Sequence, residues 1–114
     1  MTRIYKLLTR GEWESALAAG RFDGSQVDLA DGFIHFSAAD QAAETARRYF
    51  HGQGDLMLLT VEAQALGAAL VWEPSRGGAL FPHLYGPLPC HLVVDARAVA
   101  LGEDGAPRLG SLAP

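Results

Sequence analysis

The sequence predicts an α+β fold with a mixed or antiparallel sheet and two principal helices. Strand-like and helix-like segments alternate twice at the start of the chain, and mostly strand-like segments follow. Residues 39–50 carry apolar side chains at helical spacing, whereas residues 56–61 form a continuous apolar run. Such a run is typical of a central strand that is covered on both faces. We therefore predict two helices packed against a sheet.

A capping-box pattern marks the start of the first helix. Residues 4–8 predict a strand, and Thr9 is followed three positions later by Glu12, a pair that satisfies free amides where a helix begins. Gly20 supplies the stop. The buried face of this helix is predicted from three apolar residues at helical spacing, namely Trp13, Ala16 and Leu17.

A loop, a second strand and the second helix are predicted next. Residues 21–30 are rich in turn residues and are interpreted as an irregular loop. Residues 33–36 predict a short strand whose alternation places His35 and Ser37 on one face. Because Ser37 also begins a capping-box-like pattern, it is interpreted as the N-cap of the helix over residues 39–50.

The second half of the chain is predicted to be mostly strand. Residues 70–73 and 91–94 predict two further strands, and Trp72 is interpreted as a core residue. The prolines among residues 81–89 favour an edge position or a bulge over a central strand. Residues 102–114 have little to pack and are predicted to form a loose tail.

Length and composition indicate a single domain over residues 1–114, with a core at about residues 3–101. A chain of 114 residues with 49% apolar content is long enough for one core and too short for two. The net charge of −4 argues against a nucleic-acid surface, although one arginine and a few amides can hold a small anion. The only cysteine, Cys90, cannot form an internal disulfide, and no apolar run approaches the length of a membrane span. We therefore expect a cytoplasmic protein with no membrane partner.

The first candidate site residues are His35 and Ser37. Imidazole titrates near neutral pH, and a hydroxyl on the same face can bind the same ligand. Two alternatives remain open. His35 can instead donate to a backbone carbonyl inside the fold, and Ser37 can serve only as a helix cap.

Two further pairs of polar residues lie in the second half of the chain. An extended backbone over residues 81–89 places His83 and Tyr85 on one side, unless this segment is only a rigid edge that Tyr85 ties to a neighbour. Glu73 and Arg76 flank a proline beside a Gly-Gly loop. Arg76 can clamp a phosphate or carboxylate there, or remain a solvated loop charge.

Several familiar site motifs are absent from the sequence. The four histidines show no short-range ligand spacing, so we predict no metal site. The sequence also lacks paired cysteines, the nucleophile elbow, the phosphate loop and the dinucleotide Gly-x-Gly-x-x-Gly pattern.

Four motifs resemble a bacterial family known as domain of unknown function 952. They are Ile4-Tyr5-Lys6-Leu7, the Glu12-Trp13 helix start, Gly32-Phe33-Ile34-His35-Phe36-Ser37, and Leu80-Phe81-Pro82-His83-Leu84-Tyr85-Gly86-Pro87-Leu88. The resemblance covers nearly the whole chain up to the last strand. The fold of that family is similar to the fold of ADP-ribosyltransferases, which bind NAD in a cleft between two small sheet portions. The resemblance therefore implies NAD as a substrate or ligand.

The resemblance also implies roles for individual residues. By order along the chain, the transferase positions fall on the first strand, on the His35 strand and on the region from Glu73 to Tyr85. The implied catalytic residues are His35, Glu73 and Tyr85. The implied cofactor-binding residues are Lys6, Ser37, Arg76 and His83.

Two classes of function remain open at this point. NAD-dependent ADP-ribosyl or phosphoryl transfer is the first. The alternative is a non-catalytic module for small-ligand binding or protein interaction, which the absence of any Glu within residues 81–89 favours.

Overall fold

The computed structural model describes residues 1–114 and confirms an α+β architecture with antiparallel sheets. The strands are β1 (Arg3–Thr9), β2 (Arg21–Phe22), β3 (Ile34–His35), β4 (Ser37–Ala38), β5 (Leu56–Glu62), β6 (Leu70–Pro74), β7 (Leu80–Leu84), β8 (Leu88–Pro89) and β9 (Val93–Val99). The α-helices are α1 (Arg10–Ala19), α2 (Gln26–Asp31) and α3 (Ala42–Tyr49), and short 3-10 segments cover Ala63–Ala69, Arg76–Gly78 and Cys90–Leu92. None of the helices is long and apolar enough to cross a membrane.

The largest sheet has the strand order β4-β1-β5-β9 and separates two hydrophobic clusters. β1 and β5 pair along seven residues, and their side chains alternate between the two faces of the sheet. On one face Ile4 and Leu8 pack with the buried residues of α1. On the other face Tyr5 and Leu7 pack with the alanines of α3. This arrangement explains why residues 56–61 are apolar without a break, because both faces of β5 are covered.

The capping-box prediction for α1 is confirmed. The Glu12 amide donates to Thr9 Oγ1 at 3.0 Å, and the Thr9 amide donates to Glu12 Oε1 at 2.8 Å. Gly20 follows the helix in the left-handed conformation. The predicted buried face is right for Trp13 and Ala16 but wrong for Leu17, which is 53% exposed.

The prediction of an irregular loop over residues 21–30 is wrong. Arg21–Phe22 form β2, which pairs with β8, and Ser25 then caps α2. The Asp28 amide donates to Ser25 Oγ, and the Ser25 amide donates to Asp28 Oδ2 at 2.9 Å, so a second capping box begins this helix. The pattern Ser25-x-x-Asp28 was therefore the available signal.

The predicted N-cap role of Ser37 is also wrong. Ser37 is a strand residue that pairs with Tyr5 in the large sheet, and α3 begins only at Ala42 without a side-chain cap. The chain leaves β3 after His35 and joins the other sheet at Ser37, so a strand continues where the sequence pattern suggested a helix start. The helix is accordingly shorter than residues 39–50.

β7 occupies the centre of the third sheet, whose order is β3-β7-β6, and not an edge as predicted. Pro82 lies within this central strand, and its carbonyl accepts a hydrogen bond from the Phe36 amide at 3.0 Å. The N–H and C=O of an antiparallel strand residue face the same neighbour. The missing N–H of Pro82 therefore faces Phe36, just beyond the end of β3, and not β6, so its loss leaves the ladder between β6 and β7 intact.

The C-terminal segment packs against the sheet, in contrast to the predicted loose tail. Leu109 is buried in the second hydrophobic cluster, and its carbonyl accepts a hydrogen bond from Arg97. The Arg108 amide also donates to the Ala100 carbonyl at 2.8 Å. Two smaller corrections apply to the second half of the chain. The last strand begins at Val93, after a 3-10 turn, and Trp72 is partly exposed on β6.

Replacement of Gly24 by alanine is expected to destabilise the protein by about 1–3 kcal/mol. Gly24 has φ +119°, and a Cβ there would lie 2.9 Å from the Cβ of Asp28. Urea unfolding of Gly24→Ala measures the cost. Gly54→Ala is the matched control, because nothing lies within 4 Å of a Cβ at Gly54 and its φ is not positive. Equal midpoints for the two variants would contradict this prediction.

Candidate functional site

A cavity of about 590 Å³ lies beside β1. Residues of α2, of α3 and of the 3-10 segment Arg76–Gly78 form its other walls. It begins where β4 ends, because β4 pairs with β1 only at Ile4 and Tyr5 and leaves the rest of that edge uncovered. A more open pocket of about 330 Å³ along residues 103–108 contains none of the predicted site residues. Five predicted site residues line the larger cavity, namely Lys6, His35, Ser37, Arg76 and His83.

The buried carboxylate of Asp28 connects the residues on one side of this cavity. Lys6 contacts both of its oxygens, at 3.0 Å and 2.8 Å. His35 donates its backbone N–H to Oδ1 at 3.1 Å and places its ring Nδ1 2.6 Å from the same oxygen. Lys6 is 7% exposed and Asp28 is 2% exposed, so the ion pair lies in the interior.

The charges of this pair depend on each other. Burial alone would raise the pKa of the Asp28 carboxyl, but the hydrogen bond from His35 and the Lys6 ammonium outweigh burial and hold it well below its usual range. Burial lowers the pKa of Lys6, and the Asp28 carboxylate opposes that effect. Asp28 is therefore the counter-ion that keeps Lys6 charged inside the fold.

His35 contacts a carboxylate through each of its ring nitrogens. Its Nδ1 faces Asp28, and its Nε2 lies 2.9 Å from Asp31 Oδ2 at the end of α2. An imidazole with both nitrogens protonated can donate to both acids. Asp31 is half exposed, so a ligand can replace it as the acceptor at Nε2.

His83 stands directly across from His35, because the two are register partners on β7 and β3. Its Nδ1 lies 2.8 Å from Glu73 Oε1, and the Tyr85 hydroxyl donates to the same oxygen at 2.7 Å. The hydrogen bonds from Tyr85 and His83 lower the pKa of Glu73, and the bond to Glu73 raises the pKa of Tyr85. Glu73 and Tyr85 do not line the cavity themselves, and they connect to it through His83.

A phenylalanine holds the two histidine rings in place. Phe33 stacks on His83 with ring centroids 4.0 Å apart and contacts His35 at 4.5 Å. The two imidazole rings lie 5.6 Å from each other. The alternation predicted for residues 33–36 accounts for the contact between Phe33 and His35, but not for the stacking on β7.

A second polar group borders the cavity on the α3 side. Both the Ser37 hydroxyl, at 3.2 Å, and the Arg76 guanidinium, at 3.3 Å, donate to Thr45 Oγ1. The guanidinium also lies over the Phe81 ring, 5.0 Å from its centroid. These contacts hold Arg76 at the cavity, although it lies in the short 3-10 segment between β6 and β7.

Three residues of the site were missed by the sequence reasoning: Asp28, Phe33 and Thr45. Asp28 lay in the segment interpreted as a loop, although its capping-box partner is visible in the sequence. Thr45 lies on the polar face of the predicted helix and carries no pattern that separates it from its neighbours. No group of three or more His, Cys, Asp or Glu side chains is arranged to hold a metal ion.

Replacement of Asp28 by asparagine is expected to reduce the free energy of unfolding by about 3–5 kcal/mol, because it leaves the Lys6 charge buried without a counter-ion. Chemical denaturation measures the change. Asp23→Asn is the matched control, since Asp23 forms a surface pair with Arg21 in which both side chains are more than half exposed, and such pairs contribute less than about 1 kcal/mol. The double variant Lys6→Met/Asp28→Asn should recover part of the loss. A loss below about 1 kcal/mol in Asp28→Asn would show that the pair does not stabilise the fold.

The Asp28 carboxyl also predicts a dependence of stability on pH. Its pKa in the folded chain lies below the unfolded value of about 3.9. Its contribution is therefore fully present above that value and is lost as the pH falls toward the folded pKa. Below about pH 4 the stability of the native sequence should fall more steeply than that of Lys6→Met/Asp28→Asn, by up to about 1.4 kcal/mol per pH unit. Parallel slopes in urea titrations from pH 5 to pH 2.5 would contradict the assignment.

Comparison with known proteins places the chain in one family. The family model described as "Protein of unknown function (DUF952)" matches residues 7–96. Protein CC0527 from Caulobacter crescentus is 58% identical in sequence to this chain. Its crystal structure gives a TM-score of 0.93, and the match covers 95% of each chain. The solution NMR structure of CC0527 is 59% identical with a TM-score of 0.87, over 96% of this chain and 95% of that one. No curated protein matches the sequence. The chain belongs to the DUF952 family.

Proposed function

We propose that the cavity binds a small, phosphate-bearing ligand of the nucleotide class. The observation that carries this proposal is the presence of Arg76, His35 and His83 around one cavity of about 590 Å³. That volume lies within the range of about 300–1,000 Å³ found for small-molecule sites. The chain has a net charge of −4, so a local group of donors is needed to attract an anion.

Arg76 is the residue best suited to hold a phosphate. A guanidinium has five N–H donors in a planar fork, and Thr45 accepts from Nη1. The contact with the Phe81 ring fixes the plane of the guanidinium and leaves further donors for a ligand. The proposal does not assign a phosphate contact to Lys6, because its ammonium already contacts both oxygens of Asp28.

Aromatic side chains at the cavity fit the base of a nucleotide. Tyr49 lines the cavity and is 61% exposed, so its ring is accessible to a base that stacks on it. Phe81 and Phe50 also line the cavity. Base stacking on an aromatic side chain contributes about 1–3 kcal/mol and tolerates different bases.

We propose that the fold is similar to that of ADP-ribosyltransferases. This resemblance suggests NAD as the specific ligand. ADP-ribosyl or phosphoryl transfer is the second candidate function. It is favoured by Glu73, whose carboxylate accepts hydrogen bonds from both Tyr85 and His83. A cytoplasmic location, which the single cysteine Cys90 favours, belongs to the same proposal. The alternative is a binding module without catalytic activity.

Thermal melting with NAD, ADP-ribose and AMP at millimolar concentration tests the ligand. We expect at least one of them to raise the melting temperature in a saturable way, because a ligand that binds only the folded state stabilises it. Arg76→Ala should raise the dissociation constant about 10- to 100-fold, since a hydrogen bond between charged groups contributes about 1.5–3 kcal/mol. Arg21→Ala, a surface arginine outside the cavity, is the matched control.

The absence of a shift with all three compounds would overturn the proposed ligand class. Where NAD does stabilise the fold, mass spectrometry of released nicotinamide then separates a transferase from a binding module.

A further inference from the structure

The Glu73–His83 pair leaves one ring nitrogen of a buried histidine free. His83 is only 4% exposed, yet its Nε2 has no hydrogen-bond partner within the chain. This nitrogen is not completely buried, so a ligand can reach it. A histidine that serves only packing normally satisfies its polar atoms within the fold. Because His83 lines the cavity, Nε2 is the atom that its ring offers to a ligand.

The protonation of this ring follows from its partner. A carboxylate can only accept, so His83 Nδ1 must carry the proton that Glu73 Oε1 receives at 2.8 Å. In the neutral ring Nε2 is then an acceptor with a free lone pair. Tyr85 donates to the same Glu73 oxygen and holds the carboxylate in position. This is the arrangement of a histidine general base that a carboxylate orients.

A second histidine faces the first across the paired strands and has different hydrogen-bond partners. Both ring nitrogens of His35 lie within hydrogen-bond distance of acids, at 2.6 Å from Asp28 and 2.9 Å from Asp31. A protonated Nε2 can donate at this position, and the half-exposed Asp31 is the group that a ligand can displace. The site therefore holds one ring nitrogen with no partner and one ring nitrogen beside an acid, on rings whose centroids lie 5.6 Å apart.

We propose that His83 is the general base and His35 the general acid in the hydrolysis of a nucleoside phosphodiester, an inference that rests on the proposed nucleotide class of ligand. A water molecule gives its proton to His83 Nε2 as its oxygen forms a bond to phosphorus. The bond between phosphorus and the leaving oxygen breaks, and that oxygen takes the proton from His35 Nε2. The products are a phosphomonoester and an alcohol, and solvent returns both rings to their initial protonation states.

The remaining residues of the cavity fit this reaction. Arg76 can contact the non-bridging phosphate oxygens, whose charge grows in the transition state. Phe33 packs on both imidazole rings and fixes their separation. Glu73 acts as a positioning residue, because its carboxylate contacts His83 and does not line the cavity.

The test uses adenosine 2′,3′-cyclic monophosphate as the substrate probe and AMP as the binding probe. We expect the native chain to release adenosine monophosphate, measured by phosphorus NMR, and His83→Gln to lose about 10²–10⁴-fold in rate. His91→Gln is the matched control, since His91 is an exposed histidine outside the cavity. Glu73→Gln should lower kcat and leave KM unchanged, a split that a merely structural role would not produce. It also serves where His83→Gln fails to fold, because Glu73 is partly exposed.

The outcomes separate the two proposals. A thermal shift with AMP but no hydrolysis by the native chain overturns the general-base assignment and leaves nucleotide binding intact. Hydrolysis by Glu73→Gln and by a folded His83→Gln at the rate of the native chain also overturns the general-base assignment. If the nucleotides cause no thermal shift and the native chain hydrolyses no substrate, both proposals are overturned.

Discussion

The arrangement of the cavity depends on one buried carboxylate. Asp28 accepts hydrogen bonds from the Ser25 amide, from the backbone and ring of His35, and from the Lys6 ammonium. It therefore begins α2, fixes the position of β3 relative to that helix, and neutralises a lysine on the apolar face of β1. An isolated charge would be unstable at this depth, but paired with Lys6 and hydrogen-bonded on both oxygens it is compatible with the core. Helix, strand and cavity wall share this single group, so none of them can shift alone.

The third sheet supplies what the Asp28 network lacks. Because β3 and β7 are register partners, the two histidines lie opposite each other without any further constraint from loops. Their surroundings then differentiate them: His35 contacts two acids, whereas His83 contacts one and keeps a nitrogen free. Two identical side chains on neighbouring strands therefore have different hydrogen-bonding surroundings.

The sequence predicted the local elements well where one physical rule decided them. The capping box at Thr9 and the doubly covered strand β5 follow from hydrogen bonding and burial alone. The errors occur where tertiary pairing overrides local preference. Ser37 has a helix-cap pattern but continues as a strand because β1 offers it a partner, and Pro82 lies in a central strand because its missing N–H faces Phe36, beyond the end of β3, and not β6. Asp28 was missed for a different reason: a capping acid in a short helix gives no sign that a lysine 22 residues earlier will reach it.

The passage from β3 to β4 takes place across the single residue Phe36. The two histidines and Arg76 belong to the β3-β7-β6 sheet and its β6–β7 connection, whereas Ser37 lies in the large sheet and Thr45 lies on the helix packed against that sheet. Phe36 is 2% exposed, so the connection between the two sheets is buried in the core. The width of the cavity is therefore determined by how the two sheets pack around one aromatic ring. Because Phe36 also lines the cavity, a change in the size of its ring would alter the wall of the site as well as the packing between the two sheets.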